Sequence, residues 1–304
     1  MGPDLRDTAP KILYHYTTQA GFLGIIQSQS LWATDMRYLN DKREYLLAME
    51  LLSERVKSLA VQSAGSPPAL YLEKLQERLA NIWSWQFFVV SFSEDGDLLS
   101  QWRGYGQGGG YALGFRGDDL VARLQAQGWT LASCVYDSAQ QVALIDQLLA
   151  TGIARLEDPD SALPAAPPSS KPTPPSGLQP SFDPDKIFPM PPPSAPHWMT
   201  EAFPALISAF FLNGPRIKDD AFREEREWRA ISPRDTHGQV RVRPGVGVLR
   251  PYIPLSLEPF SLAELVVGPS SHQDLARQAA EVALSQYQVH CDSVRLSKVP
   301  YRDW

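Results

Sequence analysis

Three short patterns that lie far apart in the chain carry side chains able to bind a polar ligand and act on it. They hold a histidine, two serines and two glutamates, namely His15, Ser91, Ser93, Glu225 and Glu227. An imidazole changes charge near neutral pH, hydroxyl groups donate and accept hydrogen bonds, and a carboxylate can stabilise positive charge. Such a set suits a ligand-binding site, provided that the fold brings the three patterns together.

The histidine lies in an apolar and aromatic run at residues 12–17, which predicts a strand. Side chains alternate across a strand, so His15 faces one side while Tyr14 and Tyr16 face the other. One interpretation is that the imidazole is presented to a ligand. The other is a buried histidine that only packs and makes a structural hydrogen bond.

The two glutamates flank an arginine just before Trp228. If the segment is extended, Glu225 and Glu227 lie on one face with Cα atoms about 6.5 Å apart, and Trp228 anchors the other face. The same charge pattern is compatible with a solvated helix. We favour a helix or turn through Glu224 followed by a strand over residues 227–232, because alanine and isoleucine follow the tryptophan.

The serines open the most informative stretch of the chain. Residues 87–92 and 111–115 predict two strands, and a polar, glycine-rich segment with Arg103 and Tyr105 lies between them. This segment is either a loop that lines a pocket or a long surface hairpin. Its glycines fit the spacing G-x-G-x-x-G, but a strand follows them where the dinucleotide-binding motif needs a helix, so we reject that motif.

The rest of the chain alternates short strands with helices. Apolar periodicity predicts helices at residues 19–28 and 139–156, among others. A last helix is expected to turn Leu275, Ala279 and Val282 toward the core. Many short strands with helices grouped between them favour an α+β fold over a βαβ series.

One segment has a different composition. Residues 159–196 contain fourteen of the 27 prolines of the chain. Proline removes backbone donors and disfavours both helices and strand ladders, so no regular structure is expected there. We interpret the segment as a mobile or polyproline-like insertion within a single domain over residues 1–304, and as a candidate docking site for a protein partner.

Composition excludes several classes of protein. The net charge of -6 over 304 residues argues against a general nucleic-acid-binding surface. No apolar run approaches the roughly 20 residues of a membrane span. The two cysteines, Cys134 and Cys291, have no metal-ligand spacing. These features predict a cytoplasmic protein with free thiols and no bound metal.

Seven motifs occur in order along nearly the whole chain outside the proline-rich segment. They are LYHYT at 13–17, LND at 39–41, SFSE at 91–94, QWRGY at 101–105, ExEWR at 225–229, VGP at 267–269 and VPYR at 299–302. This series resembles the bacterial family known as domain of unknown function twenty-nine seventy-one. More loosely, the histidine, S-x-S and E-x-E patterns resemble the three-strand active site of the ADP-ribosyltransferase-like superfamily.

The resemblance implies a split, strongly curved sheet with NAD bound in its cleft. His15 would then hydrogen-bond a ribose hydroxyl of NAD, while Ser91 and Ser93 support the cofactor and the catalytic glutamate. Glu227 would hold the nicotinamide ribose, and Glu225 would orient or deprotonate the acceptor.

Three further residues receive roles from the same resemblance or from charge. Tyr105 or Tyr111 would stack on nicotinamide, although neither occupies a fixed motif position. Arg103 would meet the pyrophosphate of NAD, an assignment that rests on its charge alone.

The implied function is NAD-dependent mono-ADP-ribosyltransfer to a macromolecular acceptor, protein or nucleic acid, with NAD hydrolysis as a side reaction. Bacterial enzymes of this kind act as toxins, effectors or phage-defence factors, so delivery as an effector is an alternative to residence in the cytoplasm. The first motif has histidine where one branch of the superfamily has arginine, which leaves the acceptor and the activity open. The alternatives are a catalytically silent module that binds a nucleotide or partner, and a scaffold that docks through the proline-rich segment.

Overall fold

The computed structural model describes residues 8–39, 42–65, 67–79, 86–106, 108–157, 202–233, 240–245 and 247–300. Within these ranges the chain is a mixed α/β protein with a curved, open, mixed sheet and helices packed against it. The predicted proline-rich insertion at 159–196 lies outside the described residues, as do Asn40, Asp41, Tyr301 and Arg302 of the motif series.

Most of the helices in the described residues have one face buried against the sheet or a neighbouring helix. They are α1 (Gln19–Ser28), α2 (Lys42–Gln62), α3 (Pro67–Leu79), α4 (Leu99–Tyr105), α5 (Gly117–Ala126), α6 (Ser138–Glu157), α7 (Phe203–Asn213) and α8 (Gln273–Gln286). Short 3-10 helices occur at Met36–Tyr38, Gly214–Arg216 and Asp220–Glu225. None of the helices in the described ranges is long and apolar enough to cross a membrane.

The strands are short and mostly rich in β-branched and aromatic residues. They are β1 (Ile12–Thr18), β2 (Ser30–Asp35), β3 (Phe88–Ser93), β4 (Gly110–Arg116), β5 (Thr130–Ser133), β6 (Glu227–Ile231), β7 (Arg241–Pro244), β8 (Leu249–Ser256), β9 (Ser261–Leu262), β10 (Glu264–Val267), β11 (His290–Cys291) and β12 (Val294–Leu296). The main sheet runs β12-β10-β4-β1-β3-β2-β8-β7, and β6 joins β3 to β5 beside this path. The β10–β12 pair is parallel, whereas the other neighbours in the main sheet are antiparallel.

Strand β3 is the place where the sheet divides. One edge of β3 pairs with β6 from Val89 to Ser93. The other edge is shared, because β2 pairs at Val89 through Thr34 and β1 pairs at Ser93 through Tyr14. Ser91 lies between these two contacts, and we call the gap beside it, between β1 and β2, the fork.

Two apolar cores lie on opposite sides of β3 and β6. The first core takes alternate residues of these strands, Phe92 and Trp228 among them, and packs against α1, α5 and α8. The second core takes residues of the other face, including Val89 and Ile231, and packs against α2, α3, α6 and α7. Alternation of side chains along each strand therefore separates the two cores by one layer of backbone.

The glycine-rich segment between β3 and β4 is partly helical, which differs from the expected loop. Helix α4 packs its Trp102 on Tyr16 of β1, with ring centroids 4.7 Å apart in an edge-to-face arrangement. The Trp102 indole N–H donates to Asp97 at 2.8 Å. A buried indole needs such an acceptor, so Trp102 of the QWRGY motif serves to fix α4 on the face of β1 that carries Tyr14 and Tyr16.

The predicted core face of α8 is wrong. Leu275 is 64% exposed and Val282 is 67% exposed, while Ala280 and Leu284 are the buried residues of this helix. Helix α8 has apolar residues on two faces. The face with Leu275 and Val282 was predicted to be buried, but the face with Ala280 and Leu284 is the buried one.

The packing of β3 can be tested at Phe92. This side chain is 2% exposed and meets the Phe115 ring edge-to-face at a centroid distance of 5.9 Å. We expect Phe92→Ala to lower the free energy of unfolding by about 3–5 kcal/mol in urea titrations, because the cavity cannot fully collapse. Leu275→Ala, at an exposed position, should change it by no more than about 0.5 kcal/mol. Equal losses in the two variants would contradict this packing.

Candidate functional site

His15 lies at the fork and spans it by a hydrogen bond. Its Nδ1 lies 3.0 Å from the carbonyl oxygen of Ser91. A carbonyl oxygen only accepts, so Nδ1 carries the proton, and Nε2 of the neutral ring is left as an acceptor. Nε2 makes no hydrogen bond to any residue that the structure describes.

The electrostatic surroundings keep this imidazole neutral. Burial lowers the pKa of His15 below its ordinary value, the hydrogen bond to Ser91 opposes this, and the positive charge of Arg243 lowers the pKa further. The predicted alternation along β1 is confirmed, because Tyr14 and Tyr16 pack together with Trp102 in a separate cluster. A neutral ring with a free Nε2 can accept a hydrogen bond from a ligand hydroxyl.

The two serines of β3 have different surroundings. Ser93 is buried, donates its hydroxyl to the Glu225 carbonyl at 2.8 Å and accepts the Asp95 amide at 3.2 Å. Ser93 therefore joins the end of β3 to the residue that precedes β6 by two positions. The half-buried Ser91 hydroxyl makes no hydrogen bond within the described part of the chain, so it remains available to a ligand.

The two glutamates are not on one extended strand; the favoured interpretation, a helix or turn followed by a strand from residue 227, is confirmed, with the helix ending at Glu225. Glu225 ends a 3-10 helix, and Arg226 then adopts a left-handed conformation with φ 41° before β6 begins at Glu227. Both carboxylates nevertheless converge, because both contact the ammonium group of Lys218. Its Nζ lies 2.6 Å from Glu225 Oε2 and also donates to Glu227 Oε2.

Glu227 is also paired with a second cation. Arg229 donates through Nε to Glu227 Oε1 at 2.7 Å and through Nη2 to Oε2 at 3.1 Å. Burial alone would raise the pKa of Glu227, but the Arg229 and Lys218 charges outweigh it and hold the pKa below its ordinary value. All three side chains are at most 5% exposed, so this carboxylate is buried, ionised and fully paired.

Neighbouring elements hold this charged cluster in place. Tyr136 accepts the backbone amide of Glu227 at 2.8 Å. Gln141 on α6 donates its side-chain amide to the carbonyls of Lys218 and Val135, each at 2.7 Å. The guanidinium of Arg229 donates through Nη1 to the Pro215 carbonyl at 2.6 Å. These contacts fix the backbone at Lys218 and Glu227 and the guanidinium of Arg229.

Sequence reasoning missed the role of several members of this cluster. Lys218, Tyr136 and Gln141 lie in segments without a recognisable motif, and Arg229 was noted only as part of ExEWR. A lone lysine in the run RIKDD gave no signal of burial, because the distance to Glu227 is a tertiary property. The burial of Lys218 against the two glutamates could be found only from the structure.

The remaining predicted site residues lie on β4 and α4. Tyr111 is buried in the first core, where its ring lies 4.5 Å from that of Phe22 and its hydroxyl donates to the Ala276 carbonyl at 3.2 Å. Arg103 is exposed on α4, and Tyr105 is 41% exposed at the end of the same helix. His15 contacts the backbone of Ser91, while Ser93 contacts Glu225, which shares Lys218 with Glu227.

Comparison with known proteins gives a family-model match over part of the chain. Residues 101–230 match the family model described as protein of unknown function (DUF2971). The match supports the family resemblance over a range that includes the QWRGY and ExEWR motifs, whereas His15, Ser91 and Ser93 precede it. Neither the curated proteins nor the solved structures give a significant match.

The buried cations can be tested by removing one of them. We expect Lys218→Met to lower the free energy of unfolding by about 3–5 kcal/mol in urea titrations, because Glu225 and Glu227 lose a buried partner. The exposed pair of Lys74 with Glu77 offers a control, and Lys74→Met should cost at most about 1 kcal/mol. A loss in Lys218→Met no larger than that of the control would contradict a stabilising role for the cluster.

The lowered pKa of Glu227 predicts a pH dependence of stability. A depressed folded-state pKa stabilises the protein above the unfolded pKa of about 4.3, and this stabilisation is lost as the pH falls toward the folded value. The free energy of unfolding of the unmodified protein should therefore fall by about 1–2 kcal/mol more than that of Glu227→Gln between pH 7 and pH 3. Parallel losses in the two proteins would show that the ion pairs do not depress this pKa.

Proposed function

We propose that the protein is an NAD-dependent mono-ADP-ribosyltransferase with its cleft at the fork, and that the curved sheet is of the ADP-ribosyltransferase-like kind. One observation carries the proposal: the three strands with the histidine, S-x-S and glutamate patterns are immediate neighbours. Tyr14, Ser93 and Glu227 form one row across β1, β3 and β6. At roughly 5 Å between neighbouring strands, Tyr14 and Glu227 lie about 10 Å apart along the backbone, and His15 is the next residue of β1, with its side chain turned to the other side from Tyr14.

Each group at the fork has a role in this proposal that suits its observed state. The free Nε2 of His15 accepts a hydrogen bond from a ribose hydroxyl of NAD, and the Ser91 carbonyl fixes the ring through Nδ1. Glu227 is held ionised, which is the state that stabilises an oxocarbenium-like ribose. No general acid is needed, because the bond electrons leave with nicotinamide, which becomes neutral.

Lys218 explains how a paired Glu227 would become available. Its ammonium group contacts both Glu225 and Glu227, so it can keep Glu225 as a partner when Glu227 turns toward the ribose. The acceptor atom then forms a bond to the ribose C1′ as the bond to nicotinamide breaks. Its proton passes to Glu225 or to water, and attack by water in place of the acceptor gives NAD hydrolysis.

The proposed acceptor is a macromolecule, a protein or a nucleic acid, as expected of a bacterial toxin, effector or phage-defence factor. This part of the proposal rests on the family resemblance. The proline-rich segment at 159–196 is retained as a candidate contact for a protein partner.

A second candidate is a module that binds a nucleotide or a partner without chemistry. The observation that favours it is the sequestration of Glu227, whose two carboxylate oxygens are both paired and whose side chain is 5% exposed. A carboxylate that never leaves Lys218 and Arg229 cannot approach a ribose.

Nicotinamide release separates the two candidates. We expect purified protein to release nicotinamide from NAD, faster with a bacterial lysate as the source of acceptor. Glu227→Gln should lower the rate by about 100-fold or more while the protein stays folded by circular dichroism, because the charge on the ribose is no longer stabilised. Glu281→Gln, an exposed change on α8, is the matched control and should leave the rate unaltered.

The other outcomes are equally informative. Thermal stabilisation by NAD without nicotinamide release would favour the silent module. If the unmodified protein neither releases nicotinamide nor is stabilised by NAD, both candidates fail.

A further inference from the structure

Two arginines face each other on the β7–β8 hairpin. Arg243 and Arg250 are direct cross-strand partners. Side chains of such partners lie on the same face of a sheet, and like charges directly opposite each other destabilise it. The contact is close enough that burial and the Arg250 charge both lower the pKa of Arg243.

No carboxylate neutralises this pair among the residues that the structure describes. Arg243 donates to the Thr34 hydroxyl at 3.0 Å, and its guanidinium lies 5.4 Å from the centre of the Trp32 ring. The Nε atoms of Arg243 and Arg250 are both buried without a hydrogen-bond partner. A buried donor without an acceptor costs free energy, so the pair is arranged for an acceptor that the described residues do not supply.

The pair lies beside the fork. Thr34, which orients Arg243, pairs with Val89 of β3, two residues from Ser91. The Arg243 charge also acts on His15 from across the gap. Arg250 in turn folds closely over Gly245, where an added Cβ would lie 2.7 Å from Arg250 Nε. Arg243 therefore borders the gap on the β2 side, across from His15 on β1, and Arg250 lies next to Arg243 toward the hairpin turn.

We propose that Arg243 and Arg250 bind the diphosphate of a nucleotide whose ribose lies at His15, an inference that rests on the proposed function. Two guanidinium groups present planar sets of N–H donors that match phosphate oxygens, and a diphosphate would neutralise both charges at once. This assigns to the hairpin the role that sequence reasoning had given to Arg103, which is exposed on α4.

An unpartnered Nε is not sufficient for such a site. Arg277 on α8 also has a buried Nε without a partner, but it has no second arginine opposite it on a paired strand. Arg277 is therefore a matched control, which has the same buried donor and lacks the paired charge.

The experiment measures binding of inorganic pyrophosphate to the full chain by isothermal titration calorimetry at low ionic strength. We expect Arg243→Gln and Arg250→Gln each to weaken binding by about tenfold or more, since each removes charge-assisted hydrogen bonds. Both variants should stay folded, because each removes a like-charge contact. Arg277→Gln should bind as the unmodified protein does.

Any other pattern overturns the proposal. It fails if the unmodified protein does not bind pyrophosphate, if either hairpin variant loses less than about tenfold, or if Arg277→Gln loses as much as they do.

Pyrophosphate has neither ribose nor nicotinamide, so this binding does not depend on Glu227 or on transfer. If the protein binds pyrophosphate through the arginines but releases no nicotinamide, the diphosphate site is supported and the transferase proposal is contradicted. If Arg243→Gln releases nicotinamide with an unchanged KM for NAD, the transferase proposal is supported and the diphosphate site is contradicted.

Discussion

Strand β3 has to satisfy two partners with one edge, and the remainder of the site depends on how it does so. The strand is 6 residues long, and β1 and β2 each pair with only one end of it. A backbone carbonyl in the middle would then lack a partner, which is costly in a partly buried sheet. The imidazole of His15 supplies that partner at Ser91 and in doing so fixes its own orientation.

The other edge of β3 raises a problem of charge. Its partner β6 carries Glu227 and Arg229 on one face, both nearly inaccessible to solvent. Isolated charges at such positions are very unfavourable, so they occur as a set in which two carboxylates meet Lys218 and Arg229. The same arrangement keeps Glu227 ionised and away from solvent. The ionised state suits a catalytic carboxylate, whereas the burial suits a module without chemistry.

Much of the fold could be predicted from the sequence, because helix caps and runs of apolar residues determine structure over a few neighbouring residues. Helix α1 has the predicted bounds, and Thr18 caps it by accepting the amide of Gly21. The strands β3 and β4 were predicted from runs of apolar residues that are buried on both faces. The structure differed where the deciding interaction is distant or the conformation is unusual for the residue type.

Three cases illustrate those differences. The change from helix to strand before Glu227 was predicted, but Arg226 is a non-glycine residue, and nothing in its neighbours predicts its positive φ. The convergence of the two glutamates was predicted from strand geometry but arises through Lys218, whose contact with both is a tertiary one. The pairing of Arg243 with Arg250 depends on the register of a hairpin whose turn carries no two-residue signature.

The position of β3 and β6 between two apolar cores has a consequence for how the molecule comes apart. Phe92 and Trp228 face one core, and Val89 and Ile231 face the other, so a single pair of strands is the common wall of both. If the helices on one side separate from β3 and β6, these strands lose half of their packing and no longer support the core on the opposite side. The two layers of helices are therefore expected to melt together, as one cooperative unit.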